Sequence, residues 1–186
     1  MKSYVWFITG ANGAGKSTLV PILKKVLSEG YAVHDFDERG VPNNVTTAWR
    51  QQTTRYWLAV AKKNAIRNRR TVICGLVMPS EVFAAIPSTQ RRFVRIALLD
   101  FSARQISIRI RRRYRTSAQI RHLKAVTGLS VDECVVANIR HAQRLRREGK
   151  RYHVRRFITT QTLPTSTAQK VAHWISVAPK AAQKGS

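Results

Sequence analysis

Gly10-Ala11-Asn12-Gly13-Ala14-Gly15-Lys16-Ser17 follows the apolar run Tyr4-Val5-Trp6-Phe7-Ile8 and precedes a helical pattern from Thr18 to Leu27. The spacing is G-x-x-x-x-G-K-[ST] with an additional glycine at Gly13. Buried strand, glycine loop and helix in that order describe a cradle for phosphate. Gly10, Gly13 and Gly15 let the backbone curl with its N–H groups inward. The helix that follows contributes unpaired N–H donors and the positive end of its dipole. In such a cradle Lys16 reaches β- and γ-phosphates as a point charge, and the Ser17 hydroxyl is placed to ligate Mg²⁺.

Beyond the loop, strands and helices alternate. Tyr31 to Asp37 reads as a second strand ending in acids, after a helix cap at Gly30. Gly40 to Asn44 has turn composition. Thr46 to Arg67 is a long helix with Trp49, Thr53, Trp57, Val60 and Asn64 on one stripe. Thr71 to Gly75 is a third strand, Met78 to Ser88 a Pro-bounded connection with one short helix, and Phe93 to Asp100 a fourth strand. Helices are expected over Ser102–Arg113, Thr116–Val126 and Val131–Arg147. The last opens on the capping box Ser130-Val131-Asp132-Glu133 and stops at Gly149. His153 to Thr159 is a fifth strand, and Pro164 starts a final helix. This order predicts an α/β fold, a five-stranded parallel sheet with helices on both faces. Residues 1–178 form one domain, and 179–186 read as a disordered tail. Ligands of such sheets sit beyond the carboxyl ends of the strands, which gathers the loop, the acids after the second strand, Gly75 and Asp100 at one edge.

Composition bounds the function classes. A chain of 186 residues with 44% hydrophobic content can bury one core. It has no apolar run of the ~20 residues a bilayer span needs, and no secretory pattern precedes the loop. Cys74 and Cys134 are far apart, in no metal-ligand spacing, and fit a reducing cytoplasm. His34, His122, His141, His153 and His173 show no ligand spacing and no paired nucleophile. The charge is unusual: 34 Lys plus Arg against 9 Asp plus Glu, a net +25. The excess is greatest between Arg91 and Arg156, where 19 basic residues stand against 4 acidic ones. Such a field favours polyanions, including nucleic acid. An arginine-rich lineage would produce the same bias.

The glycine loop, the acids after the second strand and the arginine-rich segment after the fourth together resemble the small P-loop kinases. These include nucleoside monophosphate, shikimate and gluconate kinases and the kinase domain of polynucleotide kinases. The resemblance implies ATP and Mg²⁺ as cofactors and an arginine-bearing lid, about residues 102–128. It implies that Gly10, Ala11, Asn12, Gly13, Ala14, Gly15, Lys16, Ser17 and Thr18 hold the nucleotide. Asp35, Asp37 and Glu38 fall where such kinases hold a carboxylate facing the acceptor hydroxyl. Asp37 with Arg39 is the nearest match to the Asp and following Arg of polynucleotide kinases. Asp37 is then the base and Asp35 the metal or substrate support, with Ser17 as the other Mg²⁺ ligand. Arg109, Arg112 and Arg113 occupy lid positions, where guanidinium forks suit transition-state charge. Arg50, Gln51 and Arg55 open the helix that carries acceptor-binding residues in these families. Thr159-Thr160-Gln161 occupies the adenine-loop position. One departure stands out: many P-loop proteins end the third strand with an Asp, and this chain has Cys74-Gly75. Gly75 matches a glycine that lets substrate approach the backbone in shikimate-type kinases.

The expected activity is transfer of the γ-phosphoryl group of ATP to a small anionic or nucleotide-like acceptor. RNA or DNA is the alternative acceptor, and an ATPase switch without an acceptor is the alternative from another class. The expected location is the cytoplasm, without a membrane partner.

Overall fold

In the first strand Trp6 and Ile8 point to one side of the backbone plane and Val5 and Phe7 to the other, as the two-residue period of an extended chain requires. All five residues Val5–Thr9 are buried, so this strand must lie inside a sheet covered on both faces. The computed structural model, which describes residues 5–42, 45–160 and 162–177, places it there. The strands are β1 (Val5–Thr9), β2 (Tyr31–Asp35), β3 (Arg70–Cys74), β4 (Val94–Asp100) and β5 (Arg155–Ile158). They run parallel in the order β2-β3-β1-β4-β5. The helices are α1 (Lys16–Val26), α2 (Thr47–Ile66), α3 (Pro79–Ala84), α4 (Ala103–Arg113), α5 (Ser117–Thr127), α6 (Val131–Arg151) and α7 (Pro164–Ser176). The expected tail at 179–186, together with Asn43, Asn44 and Gln161, lies outside the described residues. No described helix is long and apolar enough to cross a membrane.

The two faces of the sheet bury separate cores. Trp6, Ile8, Val72, Cys74, Ala97 and Leu99 meet α1, α4, α6 and α7. Val5, Phe7, Ile73, Val94 and Ile96 meet α2 and the segment around α3, with Phe36 and Trp57 among the larger buried side chains. Burying each such side chain contributes about 1.5–3 kcal/mol. β5 closes one edge through a buried charge. The Asp100 carboxylate accepts from Arg146 Nε of α6 at 3.0 Å and pairs with Arg156 of β5. Asp100 therefore stands at the carboxyl edge as expected, but both its oxygens are committed to arginines, and it is a structural counter-ion rather than a site residue.

Three elements differ from the sequence expectation. The second strand stops at Asp35, not Asp37, because Asp35 and Glu38 form a capping box that turns Phe36–Arg39 into a 3-10 turn. The sixth helix runs through Gly149 to Arg151. Gly149 does not end it: a Cβ there would lie 3.7 Å from Val154 Cβ and 3.9 Å from Leu98 Cδ2, ordinary contact distances, so the position tolerates helix without requiring glycine. The inward face of α2 is Thr53, Thr54, Trp57 and Ala61, a stripe shifted slightly from the one the sequence suggests.

Gly75 has a packing role. It is buried, its N–H donates to Ile8 O at 3.0 Å, and a Cβ there would collide with the Cβ of Phe36. Its expected contact with an acceptor is therefore corrected: Phe36 covers it. Gly75→Ala should cost about 1–3 kcal/mol through overpacking, read as a lowered denaturation midpoint. Phe36→Gly in the same chain, which takes away the Cβ that a residue-75 side chain would strike, should remove most of that added cost, whereas additive losses would show that the glycine serves something else.

Candidate functional site

The loop Gly10–Gly15 leaves the carboxyl end of β1 under tight constraint. Thr9 Oγ1 donates to Val77 O at 2.8 Å and accepts from Val77 N at 3.1 Å, joining the base of the loop to the segment after β3. A Cβ on Gly10 would stand 2.7 Å from Leu99 O and 2.8 Å from Ala14 Cβ, so only glycine lets the loop close against β4. Gly13 and Gly15 have φ of 81° and 92°, the left-handed region that glycine enters freely. The Ala14 N–H donates back to Ala11 O at 3.1 Å. Gly15 is the N-cap of α1 and makes no side-chain cap, which leaves the first N–H groups of the helix facing the loop.

Lys16 turns back over this curl. Its Nζ donates to Gly10 O at 2.8 Å and Ala11 O at 3.1 Å. Burial pulls the ammonium down to about 8, against the opposing attraction of Asp37 and Asp35 and with a contribution from Arg113. Ser17 and Thr18 are exposed in the first turn of α1.

The acids sit on the 3-10 turn after β2. Asp35 accepts from the Asp37 N–H at 3.0 Å, and Glu38 accepts from the Asp35 N–H at 3.0 Å. The second Glu38 oxygen meets His34 Nδ1 at 3.0 Å. Trp57 of α2 donates its Nε1 hydrogen to Phe36 O at 3.0 Å and packs on the His34 ring at 4.8 Å. Asp37 is thus presented by a turn fixed at both ends. Burial raises its carboxyl above the usual range, the Asp35 charge adds to this, and Lys16 offsets part of it. Glu38 moves the other way: burial would raise it, but the Asp35 N–H and His34 hold it below the ordinary value.

The arginines divide by what they touch. Arg109 of α4 donates to Gly13 O at 2.9 Å and Thr159 O at 2.9 Å, with its guanidinium 4.8 Å from the Phe101 ring centroid. It bridges the glycine loop and the end of β5. Arg113, one turn further along α4, lies close enough to Lys16 to disfavour its charge. Arg112 is exposed. Arg39 stacks on Tyr56 of α2 at 4.1 Å. Arg50 is engaged elsewhere: its Nε donates to Glu81 Oε2 at 3.0 Å and its Nη2 to Glu81 Oε1 at 3.0 Å. Its expected role as a clamp for an acceptor anion is corrected accordingly, because the buried Glu81 carboxylate already satisfies the fork. Arg55 does not join the site. It lines a cavity with Val5 and Val94, the first residues of β1 and β4. α2 runs back along the sheet, and eight residues of helix carry Arg55 about 12 Å from its start.

Sequence reasoning missed two supporting residues. Asn138, buried on α6, accepts from the Asn12 N–H of the loop through Oδ1 at 3.1 Å and donates to Cys134 O at 2.9 Å. The signal was an amide inside the apolar stripe Cys134, Val135, Ala142 and Leu145. Glu81 is the other, legible as the single acid between Glu38 and Asp100 in a basic chain. Among the described residues no group of three His, Cys, Asp or Glu side chains is arranged to hold a metal by itself.

No protein-family model matches the chain, and no curated protein matches it significantly. Solved structures do match in shape. The shikimate kinase from Acinetobacter baumannii in complex with shikimate is 14% identical with a TM-score of 0.58, over 94% of this chain and 93% of that one. A sugar kinase from Janibacter sp. HTCC2649 is 15% identical with a TM-score of 0.54, over 95% and 96%. The tRNA delta(2)-isopentenylpyrophosphate transferase from Staphylococcus epidermidis is 10% identical with a TM-score of 0.59, over 94% and 99%. With the parallel sheet, the glycine loop and the kinase neighbours together, the chain has the fold of the small P-loop kinases.

Proposed function

We propose that the protein is an ATP- and Mg²⁺-dependent phosphotransferase acting on a small anionic or nucleotide-like hydroxyl acceptor. One observation carries this reading: Lys16, at the phosphate cradle, and the Asp35–Asp37 pair, on the neighbouring turn, lie within one electrostatic field. In this reading the cation that would meet the phosphates and the acid that would meet the acceptor stand close together at the carboxyl edge of the sheet, on the loop after β1 and the turn after β2.

Lys16 exchanges its loop carbonyls for β- and γ-phosphate oxygens. The loop N–H groups and the first turn of α1 hold the phosphate chain. Asp37, its proton affinity raised by burial, accepts the acceptor's hydroxyl proton as that oxygen bonds to the γ-phosphorus and the bond to the β–γ bridging oxygen breaks. Arg113 faces the Lys16 side, where charge spreads over the equatorial oxygens, and Arg112 beside it serves the nucleotide. Arg109 binds at the far end of the nucleotide, beside Thr159. The donor set suits a hard cation completed by phosphate oxygens, since the protein offers one hydroxyl and two carboxylates rather than a full cage. Ser17 and Asp35 would hold Mg²⁺, which when bound neutralises charge on the β- and γ-phosphates.

The exposed arginines of α4 to α6 favour a second reading, in which the hydroxyl belongs to an RNA or DNA end. Radiolabelled ATP offered with a library of nucleosides, nucleotides, sugars and short oligonucleotides separates the two. Label on an oligonucleotide end would displace the small acceptor, and free phosphate alone would mean an ATPase.

Lys16→Ala should abolish the thermal shift induced by ATP–Mg²⁺; an undiminished shift would place the nucleotide elsewhere. Asp37→Asn should keep ATP affinity and lower turnover by about 10²-fold or more. Glu38→Gln, which loosens the turn without touching phosphate, should lower turnover about tenfold at unchanged KM for ATP.

The Lys16 value of about 8 has a calorimetric consequence. Phosphate charge raises the ammonium above its value in the free protein. Nucleotide binding should therefore take up protons near pH ~8.5 and none near pH ~6.5 from this group, with affinity falling up to about tenfold per unit as pH rises past 8. Titrations in buffers of different ionisation enthalpy measure the uptake. Equal proton counts at both pH values would detach Lys16 from the phosphates.

A further inference from the structure

The amino-terminal edge of the sheet, opposite the phosphate loop, carries a cavity of about 650 Å³. Val5 and Val94, the first residues of β1 and β4, line it together with Leu58 and Ala61 of α2 and Ile86 beyond α3. The space exists because α2 presents Ala59, Ala61 and Ala65 here, and Ala85 faces them from the end of α3. Larger side chains at those four positions would close it. Its volume falls within the range of small-molecule sites, which are mainly apolar with a few placed polar groups.

Besides the neutral amide of Gln90, the polar side chains among the lining residues are cations. Arg55 and Lys62 lie on the lining, seven residues apart and so on one side of α2. Among the described residues no carboxylate lines the cavity. Among the described residues neither cation makes a hydrogen bond or an ion pair with its side chain. Arg50, by contrast, two turns or less from Arg55 on the same helix, is satisfied by Glu81. Two cations without counter-ions beside an apolar wall select a ligand with an apolar body and a negative head.

We propose that this cavity is a second ligand site, separate from the phosphate loop, for a small amphipathic anion: an alkyl or aryl chain ending in a carboxylate. The chain lies against Leu58, Ala61, Ile86 and Val94, and the carboxylate meets Arg55 and Lys62. The site does not depend on the phosphotransferase reading, since none of its residues belongs to the loop or to the acidic turn.

Decanoate and its neutral counterpart decanol, titrated into the full chain by calorimetry, test it. Decanoate should bind at one equivalent per chain, about tenfold or more tighter than decanol. The double variant Arg55→Glu with Lys62→Glu should lose about tenfold or more of the decanoate affinity. Arg121→Glu, an equal reversal of charge on α5, should leave it unchanged, which separates a built site from the general positive field of the protein. Ala65→Phe should fill the cavity and remove binding, and Ala59→Trp at its exposed lip supplies a second filling variant if the first lowers the thermal midpoint. Decanol binding as tightly as decanoate, decanoate binding that survives the double reversal, or equal weakening by Arg121→Glu would overturn the proposal.

Discussion

The central position of β1 is the constraint on which the arrangement rests. A strand covered on both faces and paired on both sides has no lateral freedom, so the loop that leaves it can emerge only at the carboxyl edge. The reciprocal bonds between Thr9 and Val77 fix the exit point. The close approach of Gly10 to the β4 backbone fixes the direction. From there two left-handed glycines complete the curl, and α1 begins with its N–H groups directed into it. What the chain can bind at this edge is decided by the sheet before any side chain of the site is considered.

Charge is the second organising quantity. With nine acids in 186 residues, the placement of each one is informative. Asp100 joins β4, α6 and β5 by accepting from two arginines. Glu81 holds Arg50 of α2 to α3. Glu148 accepts from the Ser80 N–H with one oxygen and from Arg144 with the other, joining α6 to the start of α3. Removing one partner of such a pair is costly, about 3–5 kcal/mol for a buried one, so these acids act as internal fasteners. Asp132 and Glu133 open α6, where Asp132 pairs with Arg111, while Asp35 and Asp37 lie close enough to Lys16 to bear on its charge. A basic protein that places Asp35 and Asp37 near its phosphate-loop lysine creates a zone where opposing charges are close and not fully spent on each other.

Much of this was legible in the sequence. The five strands, their parallel sense and the phosphate loop follow from apolar runs, turn residues and one motif, whereas the order β2-β3-β1-β4-β5 does not. The loop geometry was readable because glycine requirements leave a direct trace. The acidic turn was half legible: the apolar pattern extends the second strand to Asp37, although the Asp-x-x-Glu spacing of Asp35 and Glu38 is itself a capping signal. Long-range partners were not readable. Glu81 stands 31 residues from Arg50 and Asn138 stands 126 from Asn12, and no local period encodes such pairings. Gly75 illustrates the opposite error. A glycine at a strand end suggested room for a ligand, whereas its cause is the bulk of Phe36 packed over it.

The Asn138 contact to the loop has a consequence for how the site tolerates its surroundings. A primary amide neither gains nor loses a proton in the range where proteins work, and it carries no net charge for salt to screen. The posture of the loop backbone at Asn12 is therefore insulated from acidity and ionic strength, even in a molecule this cationic. Its neighbours on the loop are held differently, Gly10 O and Ala11 O by the ammonium of Lys16 and Gly13 O by the guanidinium of Arg109, so the receptacle is braced in part by a neutral group and in part by the cations themselves.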